Sequence, residues 1–330
     1  MTVIVTGAAG FIGSNLCEVL SRDNTVIGID NFDPYYPKIF KESNLKKLLE
    51  NSNFSLHTGD ITDSAFIEGV FTPQADLVIH LAARAGVRPS LENPLAYVDT
   101  NINGTMVILE AMRKRGIKNM LFASSSSVYG NNKTVPFKES DFVDHPISPY
   151  AATKKSCELL CHTYAHLNKM NIAALRFFTV YGRRQRPDLA IAKFTRLIDA
   201  GVEIPFYGDG STERDYTYVE DIIDGITKSA EWIKSQKPGT YDVFNLGESQ
   251  TISLSLMLET IENALGKKAN RKMLPLQPGD VVRTFADISK AKAAFGYHPA
   301  TSFADGITEY INYYKTEIKG QKELLESLSP

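Results

Sequence analysis

Tyr150 and Lys154 stand four residues apart behind Ser148-Pro149, a capping serine followed by proline at the first helical position. That spacing puts both on one helix face, and Cys157 and Cys161 continue the same stripe toward the interior. A lysine on an inward stripe is costly unless it has a partner or a task. An ammonium beside a phenol lowers the phenol's pKa, so Tyr150 is expected to accept a hydroxyl proton near neutral pH. The segment Ser124-Ser125-Ser126-Ser127-Val128-Tyr129-Gly130 follows the apolar run Met120–Ala123. Its hydroxyls should emerge at a strand's C-terminal end, where open α/β sheets bind ligands, and a serine there shares or relays the proton. Alone, a Tyr and a Lys at this spacing mostly reflect a packed ring and a solvated lysine. The serine segment weighs against that.

A second set of residues points to a dinucleotide. Thr6-Gly7-Ala8-Ala9-Gly10-Phe11-Ile12-Gly13-Ser14 follows an apolar strand and opens a helix, so glycines let the backbone approach a pyrophosphate at the helix N-terminus. The spacing is GxxGxxG, which by itself also serves a mere tight corner. Asp30, at the end of Val26-Ile27-Gly28-Ile29-Asp30-Asn31, is placed to bind a ribose diol and repel a 2′-phosphate. The expected cofactor is therefore NAD in preference to NADP. Gly59-Asp60-Ile61 is expected at the adenine edge, and the small Leu81-Ala82-Ala83 run leaves room for the cofactor.

These residues need a scaffold, and the chain supplies one. Short apolar runs at Val3–Val5, Val26–Ile29, Leu77–His80, Met120–Ala123 and Ala173–Phe178 alternate with helical patterns at Ser14–Ser21, Asn103–Arg115 and Ser148–Asn168. Alternation of this kind predicts a doubly wound α/β fold with a parallel sheet. After Gly182, proline and glycine break the rhythm, which predicts a nucleotide-binding domain over 1–180 and a smaller mixed α/β C-terminal domain over 181–330. Tyr218–Trp232 reads as a helix returning to the first domain, within a returning segment near 215–235. The 330 residues suit two coupled domains. With 36 Lys+Arg against 38 Asp+Glu, the net charge of −2 offers no footprint for nucleic acid. Three cysteines argue against a disulfide framework, and no histidine completes a zinc set beside Cys157 and Cys161. No metal is expected. Neither a signal peptide nor a membrane span is evident, so a cytoplasmic protein is expected.

Over nearly its whole length the chain resembles the extended short-chain dehydrogenases/reductases, among them the nucleotide-sugar epimerases, and most of all the UDP-glucuronate 4-epimerases. The glycine turn and the Tyr150/Lys154 pair mark only the superfamily. Asn31-Phe32-Asp33-Pro34-Tyr35-Tyr36-Pro37, Ala82–Ser90 and Gly182–Asp188 resemble the uronate epimerases more specifically. The resemblance implies a Rossmann-type fold, a UDP-sugar substrate and a homodimer paired through Asn103–Arg115 and Ser148–Asn168. It implies hydride removal from C4 of the sugar, turning of the 4-keto sugar, and hydride return to the other face.

By the same resemblance Tyr150 is base and then acid, Lys154 its electrostatic and ribose partner, and Ser125 the hydroxyl beside the reacting oxygen. Cofactor contacts are expected from Gly7, Gly10, Phe11, Ile12, Gly13, Asp30, Asn31, Asp60, Ile61, Leu81, Ala82, Ala83 and Phe177. Arg214 and Arg283 are expected at the phosphates, with Arg88, Tyr207 and Asp280 completing the substrate contacts. Related dehydratases carry an Asp-Glu pair where this chain has Ser126 and Ser127, so it lacks their elimination acid and base. A 4-keto glucuronate is a β-keto acid that loses carbon dioxide unless its carboxylate is pinned. Thr179 and Arg186, with Ser126 and Ser127, are the expected pins.

Two departures stand out. Ser125 replaces a usual threonine and keeps the hydroxyl, while Arg183 replaces a usual proline and is expected to loosen the loop carrying Arg186. The alternatives are a neutral-sugar 4-epimerase, which gives Arg186 no reason to point inward, and a catalytically idle NAD-binding sensor.

Overall fold

The computed structural model describes residues 1–275 and 281–328. Its strands are β1 (Thr2–Thr6), β2 (Thr25–Asp30), β3 (Phe54–Thr58), β4 (Leu77–His80), β5 (Asn119–Ser125) and β6 (Asn171–Phe177). They continue with β7 (Thr179–Tyr181), β8 (Ile204–Tyr207), β9 (Glu213–Tyr218), β10 (Tyr241–Leu246), β11 (Thr251–Ser253) and β12 (Arg271–Leu274). Seven of them form a parallel sheet in the order β10-β6-β5-β4-β1-β2-β3. The order reverses between β1 and β4, so the crevice beyond their C-terminal ends is the expected ligand site of a doubly wound sheet. The Rossmann-type expectation holds.

Successive side chains on a strand face opposite ways, and both faces here are buried. Val3 and Val5 join the core under the Val219–Lys234 helix, with Ile222, Ile226 and Ile233. Ile4, Met120 and Phe122 face the opposite core with Ile108 and Met112 of the Gly104–Arg115 helix and Cys157 and Cys161 of the Pro149–Asn168 helix. The returning helix expected at Tyr218–Trp232 is Val219–Lys234, and it does pack on the large sheet.

Two strands of that sheet escaped the sequence reading. β3 and β10 are its edges, and their exposure is mixed, so neither carries the continuous apolar run of a central strand. β10 also comes from the second half of the chain. The smaller sheets are β11-β9-β7 and β12-β8, and their strands β7, β8 and β9 supply Thr179, Pro205, Tyr207 and Arg214 to the wall of a cleft.

A buried polar network lies directly behind the serine segment. The carboxylate of Glu158 accepts two hydrogen bonds from Arg176, each 2.8 Å, and one from the Ser124 hydroxyl at 2.6 Å. Arg176 also donates to the Tyr129 hydroxyl, which in turn donates to Asn245. Both charged side chains are 2% exposed. Removing one partner of such a pair strands a buried charge, at a cost of about 3–5 kcal/mol. Glu158→Ala is therefore expected to lower the urea midpoint sharply, and an unchanged midpoint would deny the pair that role.

Candidate active site

The first strand turns into the Phe11–Leu20 helix through Gly7-Ala8-Ala9-Gly10. Gly7 adopts φ +74°, and a Cβ there would meet the Ala82 backbone nitrogen at 2.9 Å. A Cβ on Gly13 would lie 2.0 Å from the Gly7 carbonyl oxygen, so both glycines are steric necessities of this turn. Gly10 is the N-cap and supplies no side-chain cap, so the first-turn N–H groups stay available to an anion.

Gly7, Gly10, Phe11, Asp30, Asn31, Ile61, Leu81, Ala82 and Ala83 line one cleft. Ile12 and Gly13 sit in the helix behind it, and Phe177 is buried at the end of β6. Asp60 does not line the cleft; it accepts hydrogen bonds from Asn31 and Thr62 and so shapes the wall. The Asp30 carboxylate accepts from the backbone of Ala9 at 3.1 Å and Phe32 at 2.8 Å. Lys41, which the sequence reading missed, places its ammonium 3.4 Å from Asp30, with both side chains nearly buried. Eleven residues separate them across a loop, and no local periodicity could have paired them. Together the glycines, the open N–H groups and the acid at the end of β2 fit a dinucleotide.

Ser148 caps the Pro149–Asn168 helix by accepting from Ala151 N at 3.1 Å, and Pro149 is its first residue. Lys154 is buried, as the stripe predicts, but its ammonium donates to the Ala123 carbonyl at 2.7 Å and lies over the Phe122 ring. Burial pushes its pKa down to about 8. Tyr150 departs from expectation. Burial raises its phenol above the ordinary value, while a hydrogen bond with Ser125 and the charge of Arg186 pull it back. Lys154 is not among the charges that act on this phenol; its ammonium is held at the Ala123 carbonyl. Tyr97 steadies the phenol edge-on at 6.1 Å between ring centroids. Ser125 and Ser127 share a 3.0 Å hydrogen bond, whereas the pleat sends Ser124 to Glu158.

A second cleft adjoins the first and is lined by Arg88, Ser126, Ser127, Thr179, Arg186, Tyr207 and Arg214. Tyr35 and Arg186 line both clefts and mark their junction. Arg186 holds Asp188 through two hydrogen bonds, at 3.0 and 2.7 Å, and lies over the Tyr35 ring. Arg88 lies over the Tyr207 ring at 5.2 Å. Arg283 is half-exposed, paired with Glu213 at 2.8 Å, and outside the lining of either cleft. Asp280 falls outside the described residues. Lys193 adds a cation to the second cleft that the sequence reading did not single out. It follows a helix start with no capping side chain to announce it.

Fold and clefts define a dinucleotide-binding protein of the extended short-chain dehydrogenase/reductase type, with a second, cation-rich compartment beside the first. Residues 4–310 match the family model described as GDP-mannose 4,6 dehydratase. The chain belongs to that family. It is 43% identical over 328 residues to a UDP-glucuronate 4-epimerase of Thermodesulfobacterium geofontis, covering 98% of each chain. A UDP-glucuronic acid 4-epimerase from Bacillus cereus, solved with UDP-glucuronic acid and NAD, is 37% identical with TM-score 0.87, over 96% of this chain and 99% of that one. A UDP-N-acetylglucosamine 4-epimerase from Methanobrevibacter ruminantium has the same TM-score at 33% identity, with the same coverage. Among the described residues no helix is long and apolar enough to cross a membrane.

Proposed function

We propose that this chain is an NAD-dependent, redox-neutral isomerase that interconverts UDP-glucuronate and UDP-galacturonate by epimerising C4. The observation that carries the uronate reading is the position of Arg186. Its guanidinium sits where the two clefts meet, close enough for its charge to act on Tyr150. A uronate carboxylate gives this arginine an anionic partner besides Asp188, and a neutral sugar gives it none. Similarity to epimerases solved with UDP-glucuronic acid and NAD supports the same reading. So do the serines at 126 and 127, which lack the elimination acid and base of a dehydratase.

NAD bound in the first cleft supplies a hydride acceptor and donor for C4. Tyr150 takes the C4 hydroxyl proton and returns it after the sugar turns, with the Ser125 hydrogen bond and the Arg186 charge favouring the phenolate. Arg214, Arg88 and Tyr207 hold the nucleotide end. Arg186, Thr179, Ser126 and Ser127 hold the carboxylate in the plane of the C4 carbonyl, where the C5–C6 bond cannot break readily. Residues 1–180 with the returning segment form the cofactor side, and 181–330 the substrate side.

The test is incubation of the purified protein with UDP-glucuronate, UDP-glucose or UDP-N-acetylglucosamine and no added cofactor. Proton NMR should show the galacto epimer chiefly from UDP-glucuronate, and preference for a neutral sugar would overturn the reading. Asp30→Ala is expected to reduce the NAD that co-purifies and to admit NADP, since Lys41 is then released to meet a 2′-phosphate. Unchanged NAD content would make Asp30 a turn residue only. The protein also acts as a cytoplasmic homodimer on this reading. Leu159 and Leu167 on the Pro149–Asn168 helix are 57% and 69% exposed, the kind of apolar face a two-fold interface covers. Light scattering at micromolar concentration should report twice the chain mass; the mass of one chain would refute the dimer.

A further inference from the structure

The loop Gly182–Asp188 carries Arg186, but Arg183 and Arg184 line neither of the two clefts. Arg183 and Arg184 reach backward to the helix that begins at the glycine turn. Arg184 pairs with Glu18 at 2.5 Å and donates to the Ser14 carbonyl at 3.1 Å. Arg183 approaches the same carboxylate at 3.4 Å and also meets Glu220 at 3.6 Å. Asn15 adds a hydrogen bond from its side chain to the Arg183 carbonyl. The expectation that Arg183 loosens this loop is thus overturned, because its guanidinium has two carboxylates to hold.

The backbone here needs such support. Arg184 has φ +63°, in the left-handed region that a residue with a Cβ rarely adopts, and such conformations persist only where surroundings over-determine them. Two residues further on, Arg186 turns to the junction of the clefts. Burial would raise the Glu18 carboxyl, yet Arg184 and Arg183 outweigh it and hold Glu18 below the usual carboxylate range. The tether is therefore charged throughout the neutral range.

We infer that Glu18 is a positioning residue for the reaction: by clamping Arg183 and Arg184 to the back of the cofactor helix, it aims Arg186 at the substrate carboxylate and so suppresses decarboxylation. This rests on the uronate reading above. Glu18 touches neither cleft. Its effect passes through the loop.

The side reaction it suppresses is balanced without any further reagent. In the 4-keto intermediate the C5–C6 bond breaks, its electron pair moves to C5 and the C4 oxygen, carbon dioxide departs, and C5 takes a proton from solvent. Return of the hydride to C4 then gives a UDP-pentose.

Glu18→Gln removes the charge and keeps the shape. With UDP-glucuronate the ratio of pentose to galacturonate product is expected to rise about two- to fivefold, the scale of a lost partly exposed ion pair. That ratio is independent of how much protein is folded or active. NAD content should stay at the wild-type level. In an Arg186→Ala background the same change should add nothing, since Glu18 acts through Arg186. Arg184→Gln should reproduce the Glu18 effect from the other side of the tether. An unchanged ratio in both single variants, or an independent increase on top of Arg186→Ala, overturns the inference. If wild-type protein leaves UDP-glucuronate untouched, or Arg186→Ala yields no pentose, it is the uronate reading that has failed.

Discussion

Tyr150→Phe is expected to lower turnover of UDP-glucuronate by about 10²–10⁴-fold, the range for loss of a positioned general acid–base. The substitution removes one oxygen and leaves the ring, which Tyr97 still supports edge-on at 6.1 Å. The helix keeps its Ser148 cap and its first-turn proline. NAD content and thermal midpoint should therefore match the wild type, and the whole effect should fall on turnover. The phenol's pKa sharpens the test. Burial raises it and Arg186 counteracts the rise, so a base that must be ionised gains activity as pH rises through its pKa. Arg186→Ala should move that rising limb to higher pH, whereas Tyr150→Phe should abolish it. Near-native turnover by the Phe variant would remove Tyr150 from the mechanism.

The second large effect belongs to Arg186→Ala. A hydrogen bond between charged groups is lost, about 1.5–3 kcal/mol, and epimerisation of UDP-glucuronate should fall accordingly by roughly one to two orders of magnitude. The freed carboxylate lets the C5–C6 bond swing out of the carbonyl plane, so carbon dioxide and a UDP-pentose should appear or increase. Because Arg186 also acts on the Tyr150 phenol, rates are best compared on each variant's pH plateau. There, any slow activity on UDP-glucose should be hardly affected. Mass spectrometry separates the pentose product from the starting uronate. Equal losses on both substrates with no pentose would make Arg186 a loop arginine and leave the uronate assignment without its main physical support.

The amino-acid sequence by itself determined the elements whose rules are local. Central strands buried on both faces appear as short apolar runs, and β1, β2, β4, β5 and β6 were all legible that way. The Ser148 cap, Pro149 and the four-residue step from Tyr150 to Lys154 follow from helix geometry alone. So does the glycine turn, whose need for Gly7 and Gly13 is a matter of a few ångströms. Tertiary structure decided the rest. β3 and β10 form only because a neighbouring strand offers its open edge, and their own side chains scarcely announce them. Asp30 looked like a lone acid until the fold set Lys41 beside it. Lys154 looked like the partner of a phenol until packing gave it the Ala123 carbonyl. Arg183 looked like a loosened proline position until the fold brought Glu18 to it from 165 residues away. In each case the outcome depended on which charges the sheet brought within a few ångströms, and the strength of such contacts falls off with spatial distance, whatever the separation along the chain.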